Sequence, residues 1–499
     1  MSIMFFLPIA VLCFAFFVFL FAICYKKSSL GRLPPGPRGL PLLGHLHMLG
    51  ELPHRSLHCM AKKYGPIMHI RIGLVPVIVA SSPEYAELFL KTHDAVFADR
   101  PKNEAAEYLN YGNKGLILAH YGPHWRNMRK LCTLELLSVS KLQIFKPMRK
   151  QEIAEFIKAI KITSETGSSI DITEIVGSVI KNMTCRMLFG VKDDDRFDLK
   201  KTIEEMVKLV GVFSIADYIP FLAALDIQGH RLRMKKVSKA MDGFLENLIN
   251  EHLKDADTLQ GRHRHFIDVM ISLMNSSNTP KEHFDRDNMK AILVDMLAAG
   301  MDTTATAIEW VVTELIKHPR VMKLVQQELA NVVGLDRMVE EEDLVKLEYL
   351  KMAVKESMRL HPVGPLIAHR SMEDTSVNGY FIPKKSIIMI NIWAIGRDPN
   401  VWSSNAQEFY PERFIGSMVD VQGRDFQLLP FGSGRRKCVG LQLGLTVVEH
   451  VVAQLVHCFD LKLPYGMLPK DLDMDEKFGL TLPRANHLIA TPTYRLSIK

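Results

Sequence analysis

Residues 430–444 read "PFGSGRRKCVGLQLG", a glycine-rich stretch with a single cysteine. In it, Cys438 follows Arg435, Arg436 and Lys437 and precedes the apolar run "GLQLGLTVVEHVVAQLVHCF". The spacing of that run predicts a helix that begins just after the cysteine. Nearby cations and the free N–H groups at a helix start both favour a thiolate. The stretch therefore predicts a sulfur anion at the mouth of a helix.

Two roles are open for the Cys438 sulfur: it could bind a metal, or it could act as a catalytic nucleophile. A catalytic nucleophile needs a base, and the loop holds no histidine placed to act as one. Zinc usually takes three or four protein ligands, whereas a haem iron can take one thiolate. Gly432, Gly434 and Gly440 permit a tight turn and the approach of a flat ligand to the backbone. The pattern favours a haem ligand.

The composition of the chain excludes several classes of protein. The 499 residues are 47% hydrophobic and 23% charged, with a net charge of +7, as in an ordinary folded protein. The blocks of Lys and Arg are short and do not alternate with aromatic residues, which argues against a nucleic-acid partner. Seven scattered cysteines with no CxxC pair argue against a zinc site, a redox dithiol or a disulfide framework.

The N-terminal 25 residues contain no charged side chain, and Lys26 and Lys27 follow directly. About 20 apolar residues suffice to cross a bilayer as a helix, whereas a cleaved signal peptide has about 7–15 behind a basic start. Positive charge after the span predicts that the rest of the chain stays cytosolic. We predict a transmembrane anchor at 1–25, a basic, proline-rich linker at 26–44 and one catalytic domain at 45–499.

Most of that domain has helical spacing. The segments "EIAEFIKAIK", "KTIEEMVKLVGVF", "AMDGFLENLINEHL" and "AIEWVVTELIKH" repeat apolar residues three and four apart. Residues 67–81 and 377–398 instead each predict two short strands about a turn, and 478–499 contains short β-like pieces. The fold class predicted is mainly α with a small β region.

Three further motifs have modest interpretations when each is taken alone. "KESMRL" spaces Glu356 and Arg359 as a surface pair on one helix face. "HWRNMRK" places Trp125 and Arg129 four apart, as on a half-exposed helical turn. "LVDMLAAGMDTTATAIEW" predicts a helix interrupted at 299–300, which is typical of a buried helix with a polar patch.

The segment "FGSGRRKCVG" resembles the haem-binding signature of the cytochrome P450 family, Phe-x-x-Gly-x-Arg-x-Cys-x-Gly. Phe431, Gly434, Arg436, Cys438 and Gly440 occupy its fixed positions. "LPPGPRGLPLLG", "FADRP", "AAGMDTT" and "FYPERF" occur in the order typical of the family and are most similar to its plant A-type, microsomal branch. The resemblance covers nearly the whole chain. It implies the cytochrome P450 fold, with a single catalytic domain behind an N-terminal transmembrane helix.

The same resemblance implies roles for individual residues. Cys438 becomes the axial ligand of a haem b iron, within a cofactor-binding loop. Asp302 and Thr303 match the acid–alcohol pair that relays protons in dioxygen activation. Through the family's Glu-x-x-Arg motif, a structural trio is implied at Glu356, Arg359 and Arg413. The donors implied for the haem propionates are Trp125, Arg129, Arg436 and either His369 or Arg370.

By position in the family, several segments would form a largely apolar substrate pocket, which suits a small lipophilic molecule. The plausible classes are a phenolic, flavonoid or biphenyl-like compound, or a terpenoid. The pocket residues implied are Leu116, Ile117, Leu118, Val210, Phe213, Ala299, Val363, Leu366, Ile367 and Leu480.

The activity implied is that of a haem-thiolate monooxygenase in the endoplasmic reticulum membrane, with O2 as co-substrate. The chain has no nucleotide-binding fingerprint, so NADPH acts only through a membrane-bound reductase, the NADPH-cytochrome P450 reductase of the family. Arg126, Lys130, Arg435 and Lys437 would form part of its docking face. Two other interpretations are a haem-thiolate isomerase or dehydratase and a non-catalytic haem-binding sensor, neither of which needs the acid–alcohol pair.

Overall fold

The structure is a computed structural model that describes residues 31–191, 198–256, 265–275 and 284–497. It divides into two compact units. The first comprises the described chain up to Lys102 together with Ser214–Gln228 and Leu366–Ala394. The second comprises Asn103–Phe213, Gly229–Pro365 and the chain from Ile395 onward. The predicted anchor at 1–25 lies outside the described residues.

The strands are short and the helices carry most of the chain. The strands, in order, are β1 (Ile67–Ile72), β2 (Val75–Ala80), β3 (Ile170–Asp171), β4 (Leu366–Arg370), β5 (Thr375–Val377), β6 (Tyr380–Ile382), β7 (Ile387–Asn391), β8 (Phe459–Lys462) and β9 (Ile489–Tyr494). The helices are α1 (Pro53–Tyr64), α2 (Pro83–Glu87), α3 (Asp94–Phe97), α4 (Glu104–Leu109), α5 (Pro123–Leu131), α6 (Val139–Ile144), α7 (Lys146–Glu165), α8 (Ile172–Phe189), α9 (Leu199–Gly211), α10 (Ile215–Tyr218), α11 (His230–Ala256), α12 (Phe266–Asn275), α13 (Arg286–Lys317), α14 (Pro319–Val333), α15 (Glu348–Leu360), α16 (Ile392–Ile395), α17 (Pro399–Trp402) and α18 (Leu441–Cys458).

The first unit is built on a four-stranded sheet in the order β1-β2-β7-β4. β1 and β2 form the predicted hairpin, with Ile72 opposite Val75, because β-branched residues fill both arms. β7 adds parallel to β2, and β4 adds antiparallel to β7. A separate hairpin joins β5 to β6 at Asn378-Gly379, whose φ angles of 48° and 79° are those of a tight hairpin turn.

The second unit contains the long helices. α13 lies at its centre and packs against α8, α15 and α18. The apolar faces of these helices form one hydrophobic cluster, in which Ile308, Val311 and Val451 are fully buried. A three-stranded sheet in the order β3-β9-β8 closes the same unit. The prediction of a mainly α fold with a small β region is confirmed.

Two helices of the described chain, α13 and α18, are long and apolar enough to cross a membrane. Most of the apolar window of each is buried inside the structure, 56% in α13 and 72% in α18. Their burial among other helices identifies them as core helices of the second unit.

Candidate active site

The cysteine loop is closed by its own backbone. The N–H of Cys438 donates to the carbonyl of Phe431 over 3.0 Å, and residues 434–436 form one helical turn between them. Gly432 and Gly434 have φ angles of 67° and 68°, a left-handed conformation that glycine adopts without steric cost. α18 begins three residues after the cysteine, at Leu441. The loop therefore holds the sulfur at the N-terminus of a buried helix, as the sequence predicts.

The electrostatics of the sulfur differ from the expectation. Burial by surrounding protein raises the pKa of the Cys438 thiol, and the Gly440 N–H, Arg129 and Lys437 oppose the rise without cancelling it. The cations and the helix start thus act in the predicted direction, but desolvation outweighs them. Iron binding, which replaces the thiol proton, is then what would hold the sulfur as a thiolate.

The residues of the loop fit an iron porphyrin. Among the cysteines that the structure describes, Cys132, Cys185 and Cys458 are buried, whereas Cys59 and Cys438 are exposed. The Cys438 side chain is thus reached by solvent even though surrounding protein raises the pKa of its thiol. A Cβ atom added at Gly440 would lie 3.8 Å from the Cys438 sulfur, so glycine leaves the approach to the sulfur open. One accessible sulfur with a glycine beside it matches the donor set of a haem-thiolate site and not that of a zinc site.

Arg436 and Trp125 lie together beside the loop. The guanidinium carbon of Arg436 is 4.4 Å from the centre of the indole ring, within the range of a cation–π contact. Arg436 donates to the carbonyl of Ala119 over 2.6 Å, and the Trp125 N–H donates to that of Leu116 over 3.1 Å. Arg129 lies 5.5 Å from the same ring. The structure thus gathers these three predicted propionate donors around one indole.

α13 is buried near both ends but accessible in the middle. Residues 291–295 and 306–316 are buried, whereas Ala299 is exposed and Asp302 and Thr303 are partly exposed. The predicted interruption at 299–300 is wrong, since the helix is continuous from Arg286 to Lys317. Its intact turns keep their backbone hydrogen bonds, and the Thr303 hydroxyl donates to the Ala299 carbonyl over 2.5 Å.

Asp302 has a partner that the motifs did not reveal. The hydroxyl of Thr481 donates to the Asp302 carboxylate over 2.5 Å. Burial raises the pKa of Asp302, and this hydrogen bond opposes the rise. A carboxyl with a raised pKa and a hydroxyl partner can hold and release a proton nearer to neutral pH than an exposed aspartate. No sequence spacing could indicate a contact across 179 positions.

A second buried carboxylate orders the segment that carries the predicted pocket residues 116–118. Asp295 of α13 accepts from the backbone N–H groups of Leu116 and Ile117, over 2.5 and 3.0 Å. Its other oxygen accepts from the Asn110 side chain over 2.9 Å. The sequence signal was a lone acid in the apolar run "AILVDMLAAG". Asp295 positions one wall of the candidate pocket from the central helix.

Asp295 also makes stability depend on pH. Burial raises its pKa to about 6, above the ordinary value of 3.8. The unfolded chain therefore loses this proton first, so the stability from this group is complete at low pH and falls as pH rises through about 6. We expect the melting temperature of the wild type, minus that of Asp295→Asn, to decrease between about pH 4 and 7. A difference that stays constant over this range would contradict the assignment.

In the second unit the predicted pocket residues lie on segments that converge on α13. Gly211, next to Val210, is so close to Leu480 that an added Cβ would lie 2.4 Å from the Leu480 nitrogen. The carbonyl of Val363 accepts from the N–H of Leu482 over 2.9 Å. Leu116 is buried, Ala299 and Leu480 are exposed, and the partly exposed members are Ile117, Leu118, Val210, Phe213 and Val363.

The remaining predicted residues lie in the first unit. Leu366, Ile367 and His369 are on β4, where His369 is buried and its ring Nδ1 donates to the Phe97 carbonyl over 3.0 Å. The neighbouring Arg370 donates twice to the carboxylate of Asp99. The His369 ring and the Arg370 guanidinium are thus both engaged within the first unit, and a propionate contact from either residue stays a prediction.

Glu356, Arg359 and Arg413 form one buried network. Arg359 donates to both oxygens of Glu356 over 2.7 and 2.8 Å, and neither side chain is exposed. Arg413 donates to the same carboxylate over 2.8 Å, and so does the backbone N–H of Tyr410. Arg359 also donates to the carbonyls of Gly396, Ala406 and Glu408. The surface pair that the spacing alone suggests is thus fully desolvated and fully paired.

Comparison with known proteins identifies relatives over nearly the whole chain. Residues 34–489 match the family model described as Cytochrome P450. The chain is 57% identical to Cytochrome P450 CYP736A12 of Panax ginseng over 93% of this chain and 94% of that protein. It is 40% identical to a Flavonoid 3'-monooxygenase of Petunia hybrida over 95% of this chain and 94% of that protein. A zebrafish cytochrome P450 structure with abiraterone is similar with a TM-score of 0.74 and 26% identity, over 89% of this chain and all of that one.

Proposed function

The chain belongs to the cytochrome P450 family and is a P450 monooxygenase, and from that premise we propose that it hydroxylates a small lipophilic plant metabolite. The observation that carries the proposal is the accessible Cys438 thiol at the start of α18, with an accessible acid–alcohol pair on α13, the helix packed against it. An isomerase or a sensor has no need of that pair.

The family and its fold bind haem, and we assign its ligation in this chain to Cys438. Haem b, when bound, supplies the redox chemistry that activates dioxygen. The sulfur of Cys438 would hold the iron as its protein ligand and supply the electron-rich thiolate that this chemistry uses. Arg129 and Arg436 would hold the carboxylates of the cofactor, since the fork of an arginine matches a carboxylate. Trp125, whose single N–H is donated to the Leu116 carbonyl, would support Arg436 through its ring. Phe431, Gly434 and Gly440 shape the loop.

Asp302 and Thr303 are assigned the handling of protons. Thr481 holds the Asp302 carboxyl in place, and the raised pKa of Asp302 means that it keeps a proton to higher pH than an exposed aspartate does. The Thr303 hydroxyl is bonded to the Ala299 carbonyl on the accessible part of α13, where it can pass that proton to the substrate side. The apolar residues around them bind the substrate and exclude water.

Replacing Thr303 with alanine is expected to uncouple NADPH use from product formation. A positioned proton donor is typically worth about 10²–10⁴ in rate, so product per NADPH should fall about tenfold or more while peroxide rises. Thr303→Ser keeps the hydroxyl and is the matched control, expected to restore most of the coupling. If Thr303→Ala remained as coupled as the wild type, the residue would have no part in proton delivery.

The substrate class is proposed as a phenolic of flavonoid type, with terpenoids as the alternative. The support is the apolar character of the residues predicted for the pocket and the relatives named Flavonoid 3'-monooxygenase, about 40% identical over most of the chain. All ten residues predicted for the pocket are aliphatic or aromatic. They offer dispersion contacts and no charge, which suits an uncharged ring system.

Electrons are proposed to come from an NADPH-dependent flavoprotein reductase in the endoplasmic reticulum membrane, where the apolar segment 1–25 would anchor this chain. Arg126 and Arg435 flank Tyr121, the first 5.8 Å from its ring centre and the second donating to its hydroxyl over 3.1 Å. Lys130 is exposed nearby on α5. These cations lie on the two segments that carry Trp125 and Cys438, which supports a basic docking face beside the proposed haem.

Reconstitution tests the proposal. The full-length protein is incubated with a plant P450 reductase, NADPH and a panel of flavonoids, simple phenolics and terpenoids. The products are identified by mass spectrometry. We expect hydroxylation of one class, dependent on the reductase and slowed by added salt, because salt screens the docking charges. Turnover that requires added peroxide, at a rate that does not depend on the reductase, would contradict the proposed source of electrons.

A further inference from the structure

A cluster of two histidines and an aspartate lies where α8, α11 and α12 meet in the second unit, outside the candidate active site. His252 is on α11, His265 directly precedes α12, and Asp268 is in its first turn. His252 Nδ1 is 2.7 Å from one carboxylate oxygen of Asp268, and His265 Nδ1 is 3.3 Å from the other. The three ligand atoms all lie within 4.8 Å of one another.

The hydrogen bonds of His252 fix which of its nitrogens carries a proton. Its Nε2 is 3.0 Å from the backbone carbonyl of Phe189, and a carbonyl oxygen can only accept, so Nε2 carries the hydrogen. In the neutral ring, Nδ1 then carries a lone pair and can only accept a hydrogen bond. It faces the Asp268 carboxylate, which is also an acceptor. Two acceptors at 2.7 Å need a cation between them, either a second ring proton or a metal ion.

The ring of His265 favours the metal ion over the second ring proton. Its Nδ1 is buried and makes no directed hydrogen bond within the described chain, although the Asp268 carboxylate is nearby. The Asp268 carboxylate is itself held, because it accepts from the backbone N–H of His265 over 2.9 Å. A proton on His252 would leave the His265 nitrogen unused, whereas one divalent ion would engage all three groups.

The surroundings have the form of an outer shell for such an ion. Metal-binding histidines usually donate the other ring N–H to a carbonyl or carboxylate, as His252 does to Phe189. Gly190, with a φ of 76°, ends α8 against the His265 ring, and a Cβ added there would lie 2.3 Å from that ring. Glycine at this position therefore lets the imidazole reach Asp268.

We propose that His252, His265 and Asp268 bind one divalent transition-metal ion, with Zn²⁺ the best match to two imidazoles and a carboxylate. Three protein ligands leave a fourth tetrahedral position for water. Hard ions such as Mg²⁺ prefer all-oxygen sites and are excluded by the two ring nitrogens. The ion would tie α11 to α12, and through Phe189 to α8, as a structural clip that is independent of the haem site.

Zinc binding to the full-length, haem-loaded protein, purified without a histidine tag, tests the site. We expect one tightly held Zn²⁺ per chain by elemental analysis after dialysis, and a rise in melting temperature with Zn²⁺ but not with Mg²⁺. In His252→Ala and Asp268→Asn, zinc affinity should fall by more than the roughly 10–100-fold that loss of an outer-shell partner costs.

Two variants keep the test decisive. His487 pairs with Asp171 at the same 2.7 Å but at the surface, so His487→Ala is the matched control and should bind zinc like the wild type. His265→Ala removes a partly exposed ring and should leave folding intact by circular dichroism while abolishing the zinc effect. The proposal is overturned if the wild type retains no zinc. It is overturned as well if Zn²⁺ raises the melting temperature no more than Mg²⁺ does, or raises it equally in the wild type and in His265→Ala. Either result would indicate a plain imidazolium–carboxylate pair.

Discussion

Cys438→Ser is expected to reduce monooxygenase turnover to background while the protein remains folded. A serine hydroxyl at the start of α18 cannot donate electron density to iron as a thiolate does. The variant should therefore lose the red-shifted Soret band of the reduced, carbon monoxide-bound form. Turnover with reductase and NADPH, and the same spectrum, measure both effects.

The matched control is Cys59, the other cysteine of the described chain that is exposed. Cys59 lies on α1 in the first unit, and Cys59→Ser should leave the spectrum and the turnover unchanged. If Cys438→Ser retained the thiolate band, the sulfur ligand would have to be another cysteine, and the assignment of the loop would be wrong.

Arg359→Ala is expected to give the largest loss of stability. Its guanidinium is fully buried, and its removal leaves the Glu356 carboxylate without two of its hydrogen bonds and takes the Arg359 donor away from the carbonyls of Gly396 and Ala406. Breaking one side of a buried ion pair typically costs about 3–5 kcal/mol. That is a large part of the roughly 5–15 kcal/mol by which a domain is stable, so we expect low yield of folded, haem-containing protein.

The control is an ion pair of similar geometry at the surface. Arg320 donates to both oxygens of Glu412 over 2.5 and 3.2 Å, but its side chain is 59% exposed. Arg320→Ala should cost no more than about 1 kcal/mol, because water replaces the lost partner. Thermal unfolding and the haem-to-protein ratio compare the two variants. Equal losses from both would mean that burial of the Glu356 network carries no special weight.

The helical and hairpin elements could be predicted from the sequence where a local pattern determines them. Apolar residues three and four apart mark α7, α11 and α18, and β-branched residues about a turn mark β1 and β2. β4 gave no such signal, because five residues with one buried side chain, His369, do not establish a period. Its placement depends on pairing with β7, a contact between distant segments.

The candidate site divides in the same way. The residues of the cysteine loop are adjacent in the chain, so a single motif names them. The contacts of Asp302 with Thr481 and of Asp295 with Leu116 join residues about 180 positions apart, and these require the fold itself. The pKa of Cys438 was beyond local reasoning too, because the desolvation that raises it comes from packing and not from the neighbouring charges.

The most direct test of the central claim, that the Cys438 thiolate holds a haem, is the carbon monoxide difference spectrum of the reduced, full-length wild-type protein. This measurement needs neither the substrate nor the reductase. We predict the red-shifted Soret band of a thiolate-ligated haem, at about one haem per chain. A band at the position of a histidine-ligated haem, or a folded protein that binds no haem, would contradict the claim.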